Sequence, residues 1–193
     1  MAGRINKKEI LNVIYSSNAV KNAAIKIVNE RIEEEKQNLI QEFSAHPVTQ
    51  ELEAGENASN LSGTLGGYGN LFSFIGFRIG ENPTEKVKEL LNKISVQKKV
   101  QRQNNRFIFR VNVPSKDDLI TATKMPWESG RSWLFGIEQG ISGLGAYLYG
   151  KFEESRSNTG IQTRKNYSGR AYRSTKYFTS IYNKFKNKLI RNK

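Results

Sequence analysis

From Ile5 to Phe43 the chain carries neither glycine nor proline, and a stretch of that length without a breaker constrains the fold more than any other feature. Ile10, Ile14, Ala24, Ile27, Val28, Ile32, Leu39 and Phe43 recur at spacings near three and four, the period that sets side chains along one side of an α-helix. The pattern predicts one long N-terminal helix around which the rest is arranged. Glu30, Glu33, Glu34 and Glu35 give it an acidic patch. A charge run of this kind is most simply a solvated face; its functional reading is a docking surface for a basic neighbour, with Glu33 and Glu34 as the interaction residues.

After the helix, residues 44–70 mix Gly, Asn, Ser and Glu with little apolar periodicity. They read as a loop too long to be idle in a compact domain, either flexible or held by a partner. The loop runs into NLSGTLGGYGNLFSFIGF, where five glycines meet a dense apolar run. A phosphate-binding loop follows a strand and opens a helix, so that backbone N–H groups meet the phosphate. Here the glycines precede a predicted strand, Asn70 to Ile79, and no GK[ST] follows. They are read as a loop and a tight strand start, with Gly76 as a bulge or a packing point.

Residues 81–94 predict a short amphipathic helix, with Asn82 as cap, Pro83 at the first helical position and Val87, Leu90, Leu91 and Ile94 on one face. Val96–Gln101 and Arg106–Val113 read as a hairpin around Gln103-Asn104-Asn105, its first arm an exposed edge bearing Lys98, Lys99 and Arg102. Ser115 caps a short helix, the segment from Met125 to Gly150 has no clear periodicity, and Ser174–Ile190 closes the chain as an amphipathic helix. The order predicts an α+β fold with a long N-terminal helix, a small, mostly antiparallel sheet with packed helices, and a C-terminal helix. Residues 1–150 form its core domain and residues 151–193 a basic extension.

The 193 residues suit one folded body with arms. Ten Phe, eight Tyr and two Trp supply a modest core, and the absence of cysteine excludes disulfides and thiolate metal sites. No apolar run is long enough to span a bilayer, and the first residues lack the apolar core of a secretory signal, so the expectation is a soluble protein made inside the cell. The net charge of +13 is uneven: from Ser155 to Lys193 there are eleven Lys or Arg and no acid. That tail interleaves Tyr with cations, a composition that contacts phosphates and stacks on bases. Tyr177, Phe178, Ile181, Tyr182 and Phe185, however, have helical spacing and are better read as a buried stripe. Arg156, Arg164, Lys165, Arg170 and Arg173 fall outside that stripe and are the best interaction residues.

Catalytic templates find little support. His46 is the only histidine, with neither triad partners nor metal ligands spaced around it. Asp117 and Asp118, the only aspartates, are adjacent and cannot share a helix face; they suit a first helical turn. Glu128 and Glu138 as an acid–base pair are weak. The expectation is a protein that is not an enzyme and uses no cofactor.

The long leading helix, NLSGTL before a strand, the helix, the hairpin and then WESGRSWLFGIEQG together resemble the neck or tail-completion (head–tail joining) proteins of tailed bacteriophages. In that family a Thr-Gly-x-Leu segment precedes the first strand, and an aromatic followed by hydrophobic-Glu-x-Gly comes after the hairpin. Asn60, Leu61, Ser62, Gly63 and Leu65 occupy the first position; Trp133, Ile137, Glu138 and Gly140 occupy the second. The likeness covers residues 5–150; the chain lacks the Thr-Gly-x-Leu form and extends further at its C-terminus. It implies a virion structural protein, made in the host cytoplasm, that forms a ring with copies of itself between head connector or adaptor and tail tube or terminator. DNA would be a further contact, and no membrane is involved. The alternative from composition is a nucleic-acid-binding protein using the basic C-terminal segment.

Overall fold

The computed structural model describes residues 6–65, 69–97, 99–103, 106–126, 130–140 and 175–190. These form helices α1 (Lys7–Ser16), α2 (Asn18–Ala45), α3 (Pro47–Glu53), α4 (Leu71–Ile75), α5 (Glu85–Asn92), α6 (Lys116–Ala122), α7 (Trp133–Glu138) and α8 (Phe178–Ile190). Four short strands, β1 (Ser95–Val96), β2 (Gln101–Gln103), β3 (Arg106–Ile108) and β4 (Val111–Asn112), make two antiparallel pairs, so the fold is α+β.

The long helix is not continuous. At Ser17 the backbone turns extended (φ −66°, ψ 128°), splitting α1 from α2. Ser16, Ser17 and Asn18 fall in succession there, and such side chains compete for backbone groups: the Ser16 hydroxyl donates to the Val13 carbonyl at 2.8 Å. The predicted apolar stripe is also buried only in its second half. Ile32, Leu39 and Phe43 lie in the core, whereas Ile10, Ile14 and Ile27 are exposed.

The region from residue 44 to 79 departs furthest from expectation. Its first part is helical: the ring of His46 accepts from Val48 N–H through Nδ1 at 3.2 Å, and Pro47 takes the first position of α3. The segment after Asn70 is helix α4, not a strand. Asn70 Oδ1 accepts from Ser73 N–H at 2.9 Å, and Gly76, left-handed at φ 86°, closes the other end while Phe77 N–H reaches the Phe72 carbonyl at 3.2 Å. Leu71, Phe72, Ile75 and Phe77 are all buried, each contributing about 1.5–3 kcal/mol by burial. With both faces covered, the apolar run loses the periodicity that separates helix from strand.

Helix α5 starts at Glu85 rather than Pro83, since Asn82 Oδ1 accepts from Thr84 N–H at 3.2 Å and holds the chain in a turn first. Val87, Leu91 and Ile94 face the core as expected, with Leu90 half-buried. Along the hairpin, Ser95 pairs with Asn112 and Val96 with Val111, but Gln101 pairs with Ile108 and Arg102 with Phe107. The first arm therefore carries two more residues than the second between the pairs, and one ladder becomes two. Helix α8 lies antiparallel against α2, burying Tyr177, Phe178, Tyr182 and Phe185; the rings of Phe43 and Tyr177 stack at 5.7 Å. The stripe reading of these aromatics holds, and it brings the terminal helix into the core.

Candidate interaction surfaces

The acidic side of α2 meets the basic side of α8 within this one chain. Lys188 Nζ lies 3.0 Å from Glu35 Oε2 and Lys184 Nζ 2.6 Å from Glu42 Oε1. Arg31 caps the last turn of α8 by donating to the Lys188 carbonyl at 3.0 Å. The Glu35 carboxylate, by hydrogen bonding, holds the Lys188 ammonium above its usual range. The groove between the helices, lined by Glu35, Leu39, Ile181 and Phe185, leaves about 10 Å³ open, room for one water at most. Of the two predicted docking acids, Glu33 is engaged by Lys36 Nζ at 2.6 Å and Gln37 Nε2 at 2.9 Å, and these bonds lower its carboxyl below the usual range. Glu34 is exposed.

Of the groups weighed for catalysis, His46, Asp118 and Glu138 hold elements of the fold in place. With Nδ1 accepting from Val48, the His46 proton sits on Nε2 and is donated to the Lys176 carbonyl at 3.2 Å, tying the start of α3 to the approach to α8. Burial lowers its pKa, against the opposing effects of that carbonyl and of Glu138. Asp118 forms a capping box with Ser115, whose hydroxyl it accepts at 2.6 Å; these bonds depress its carboxyl. Glu138, at the end of α7, accepts from Thr179 N–H at 2.6 Å in the first turn of α8, where the helix dipole favours an anion. Glu128 lies outside the described residues. Among the described residues no three His, Cys, Asp or Glu are grouped to hold a metal ion, and no helix is long and apolar enough to cross a membrane.

The acid that organises NLSGTL is one the sequence did not single out. Glu51 on α3 is fully buried; its Oε2 accepts from Ser62 N–H and its Oε1 from Leu71 N–H, both at 2.8 Å. Asn70 Nδ2 donates to the Glu56 carbonyl at 2.9 Å. One carboxylate thus holds Ser62 and Leu71 on either side of the glycine-rich stretch, so a loop expected to be either flexible or held by a partner is anchored at these two points by its own chain. Leucine and threonine neighbours gave no sign of this, because the acid and its two donors are 11 and 20 residues apart.

Among the described residues two surfaces stand out, beside singly exposed Leu61, Ile79 and Ile190. On α1, Ile10, Val13 and Ile14 are 47%, 70% and 44% exposed, and Ile27 on α2 is 65% exposed. The opposite side of α1 holds the hairpin, with Tyr15 and Phe107 rings edge to face at 5.6 Å and Arg102 Nη2 donating to Asn12 Oδ1 at 3.0 Å. The second surface is the outer face of that hairpin. Arg156, Arg164, Lys165, Arg170 and Arg173 lie outside the described residues. Comparison of the chain with known protein families, curated proteins and solved structures finds no match.

Proposed function

We propose that the chain is a structural protein of a tailed-phage particle, of the neck or tail-completion type, which acts by docking onto other chains rather than by catalysis. The observation that carries this reading is the arm formed by α1 and the first half of α2. Large aliphatic side chains scattered singly on a surface need no explanation, but Ile10, Val13 and Ile14 sit at i, i+3 and i+4 on one helix face, with Ile27 beyond them. A helix with one face on its own hairpin and the other bare and apolar suits a segment that a neighbouring chain covers.

The resemblance supplies the kind of particle. Its weight rests on WESGRSWLFGIEQG, where Trp133 and Ile137 are buried and Glu138 holds α8; NLSGTL contributes less, because a helix rather than a strand follows it. The partners proposed are copies of this chain in a ring, the head connector or adaptor, and the tail tube or terminator. Quantitative mass spectrometry of purified particles should find the chain at about six or twelve copies, as a closed ring requires. Val13→Asp with Ile14→Asp should fold but fail to incorporate. Absence of the chain from particles, or incorporation of the double variant at the normal level, overturns the reading.

A further inference from the structure

The net positive charge has a second concentration besides the C-terminal segment. Between Glu89 and Asp117 the chain carries seven Lys or Arg and no acid, and the hairpin lies inside that interval. Its two faces differ. Arg102 and Phe107, a cross-strand pair, turn toward α1, and Phe109 follows Phe107 on that side with rings 6.5 Å apart. The pairing of β2 with β3 puts Gln101 and Gln103 with Ile108 and Arg106 on the other face; Lys99 precedes β2 by two residues and Arg110 follows β3 by two, flanking that face in the chain. All but Ile108 are exposed.

Lys184, Lys188, Lys36 and Lys88 each meet a glutamate. No carboxylate of the described residues pairs with Lys99, Arg106 or Arg110. Three cations and two amides on long side chains, on or beside a two-stranded ribbon with no acid among them, form a surface complementary to a polyanion.

We propose that this outer face binds the backbone of double-stranded DNA, with Lys99, Arg106 and Arg110 on phosphates and Gln101 and Gln103 as hydrogen-bonding side chains between them. A two-stranded ribbon fits the B-form major groove, about 12 Å wide, whereas the deep, narrow major groove of A-form RNA excludes it. A protein partner fits less well: interface centres are poor in Lys and rich in aromatic anchors, and this face has none. Arg102 is a positioning residue, fixing the ribbon to α1 through Asn12. The inference goes beyond the reading given above and does not depend on it.

The test is fluorescence anisotropy of the full chain with a labelled random-sequence DNA duplex across a salt series, alongside K99Q/R106Q/R110Q. A second background, with Arg156, Arg164, Lys165, Arg170 and Arg173 all changed to Gln, removes the other basic segment. On either background the hairpin substitutions should lower the slope of log K against log salt by about 2.7, at about 0.9 per phosphate contact, and weaken binding about 100-fold or more near 0.1 M salt. Circular dichroism should be unchanged, since none of the three side chains meets a carboxylate among the described residues. Equal binding by the hairpin variant overturns the proposal, as does failure of the intact chain to bind the duplex. Equal or tighter hairpin-dependent binding of an RNA duplex or of polyglutamate reassigns the surface and overturns it too.

Discussion

Along the seam between α2 and α8, Lys184 and Lys188 end on Glu42 and Glu35; on the hairpin, Lys99, Arg106 and Arg110 meet no carboxylate of the described residues. The apolar side chains of the N-terminal helical stretch divide in a similar way. Phe43, Leu39 and Ile32 of α2 are buried under α8 and its neighbours, while Ile10, Val13, Ile14 and Ile27, part of the same N-terminal helical stretch, stand in solvent. The difference teaches that net charge and hydrophobic stripe describe a helix or a strand, not its use. The body, where most of the buried side chains and most of the ion pairs lie, carries the stability; the arm and hairpin are tied to each other on one side only, by Tyr15 on Phe107 and Arg102 on Asn12, and their other sides are where the proposed contacts fall.

Core truncation should break this division most sharply. Phe43 packs on Tyr177 and edge-on to Phe178, with ring centroids 5.7 and 6.0 Å away. Phe43→Ala should cost about 3–5 kcal/mol through lost burial and the cavity left behind. Val13→Ala, a change on an exposed helix face, should stay within about 0.5 kcal/mol. Urea denaturation of the two variants measures both; comparable losses would mean that the arm is part of the core after all.

Glu51→Gln is the next largest expected effect. The amide keeps one oxygen acceptor but turns its NH₂ toward either Ser62 N–H or Leu71 N–H, leaving a buried donor without a partner. A loss of about 2 kcal/mol is expected, with faster amide hydrogen exchange at Ser62 and Leu71 and no change in α1. Unaltered exchange at both amides would show that the glycine-rich stretch is held by something other than this carboxylate.

Glu51 also shows where sequence reasoning stops. The Ser115 cap with Asp118 in the first turn, the core face of α5 and the aromatic stripe of α8 are legible because the signal and its effect lie within one turn or one helix. A glutamate in VTQELEAG has the local appearance of a solvated acid, and only the folded chain brings Ser62 and Leu71 to it. Helix α4 fails for a related reason: Asn70 and Gly76 do mark its ends, yet a short run apolar on every side fits a buried strand equally well. The N-terminal stripe fails differently. Its period was right, but period does not say whether a neighbour covers it. Of the candidate surfaces, the acidic patch was visible and its intramolecular partner was not.

The smallest expected effect separates the two regions by pH. His46 is the only histidine and lies in the body, between the start of α3, the Lys176 carbonyl and the Tyr177 ring at 4.7 Å. Burial lowers its folded pKa below the ordinary value of about 6.5, so on acidification the unfolded chain takes up the proton first. The contribution of neutral His46 is therefore complete above about pH 6.5. It is lost as pH falls from there to the lowered folded value, below which both states are protonated. The depressed carboxyls of Glu33 and Asp118 act in a lower window, losing their contribution only below about pH 4.5. Asparagine keeps an acceptor at the start of α3 without titrating. Between pH 7.5 and 5 the native protein should lose stability and His46→Asn should lose less, with the added hydrogen exchange confined to α3, α8 and the helices they pack on. Equal loss in both proteins, or exchange that rises first in α1 and the hairpin, would place the acid-sensitive group in the arm and dissolve the contrast between the two regions.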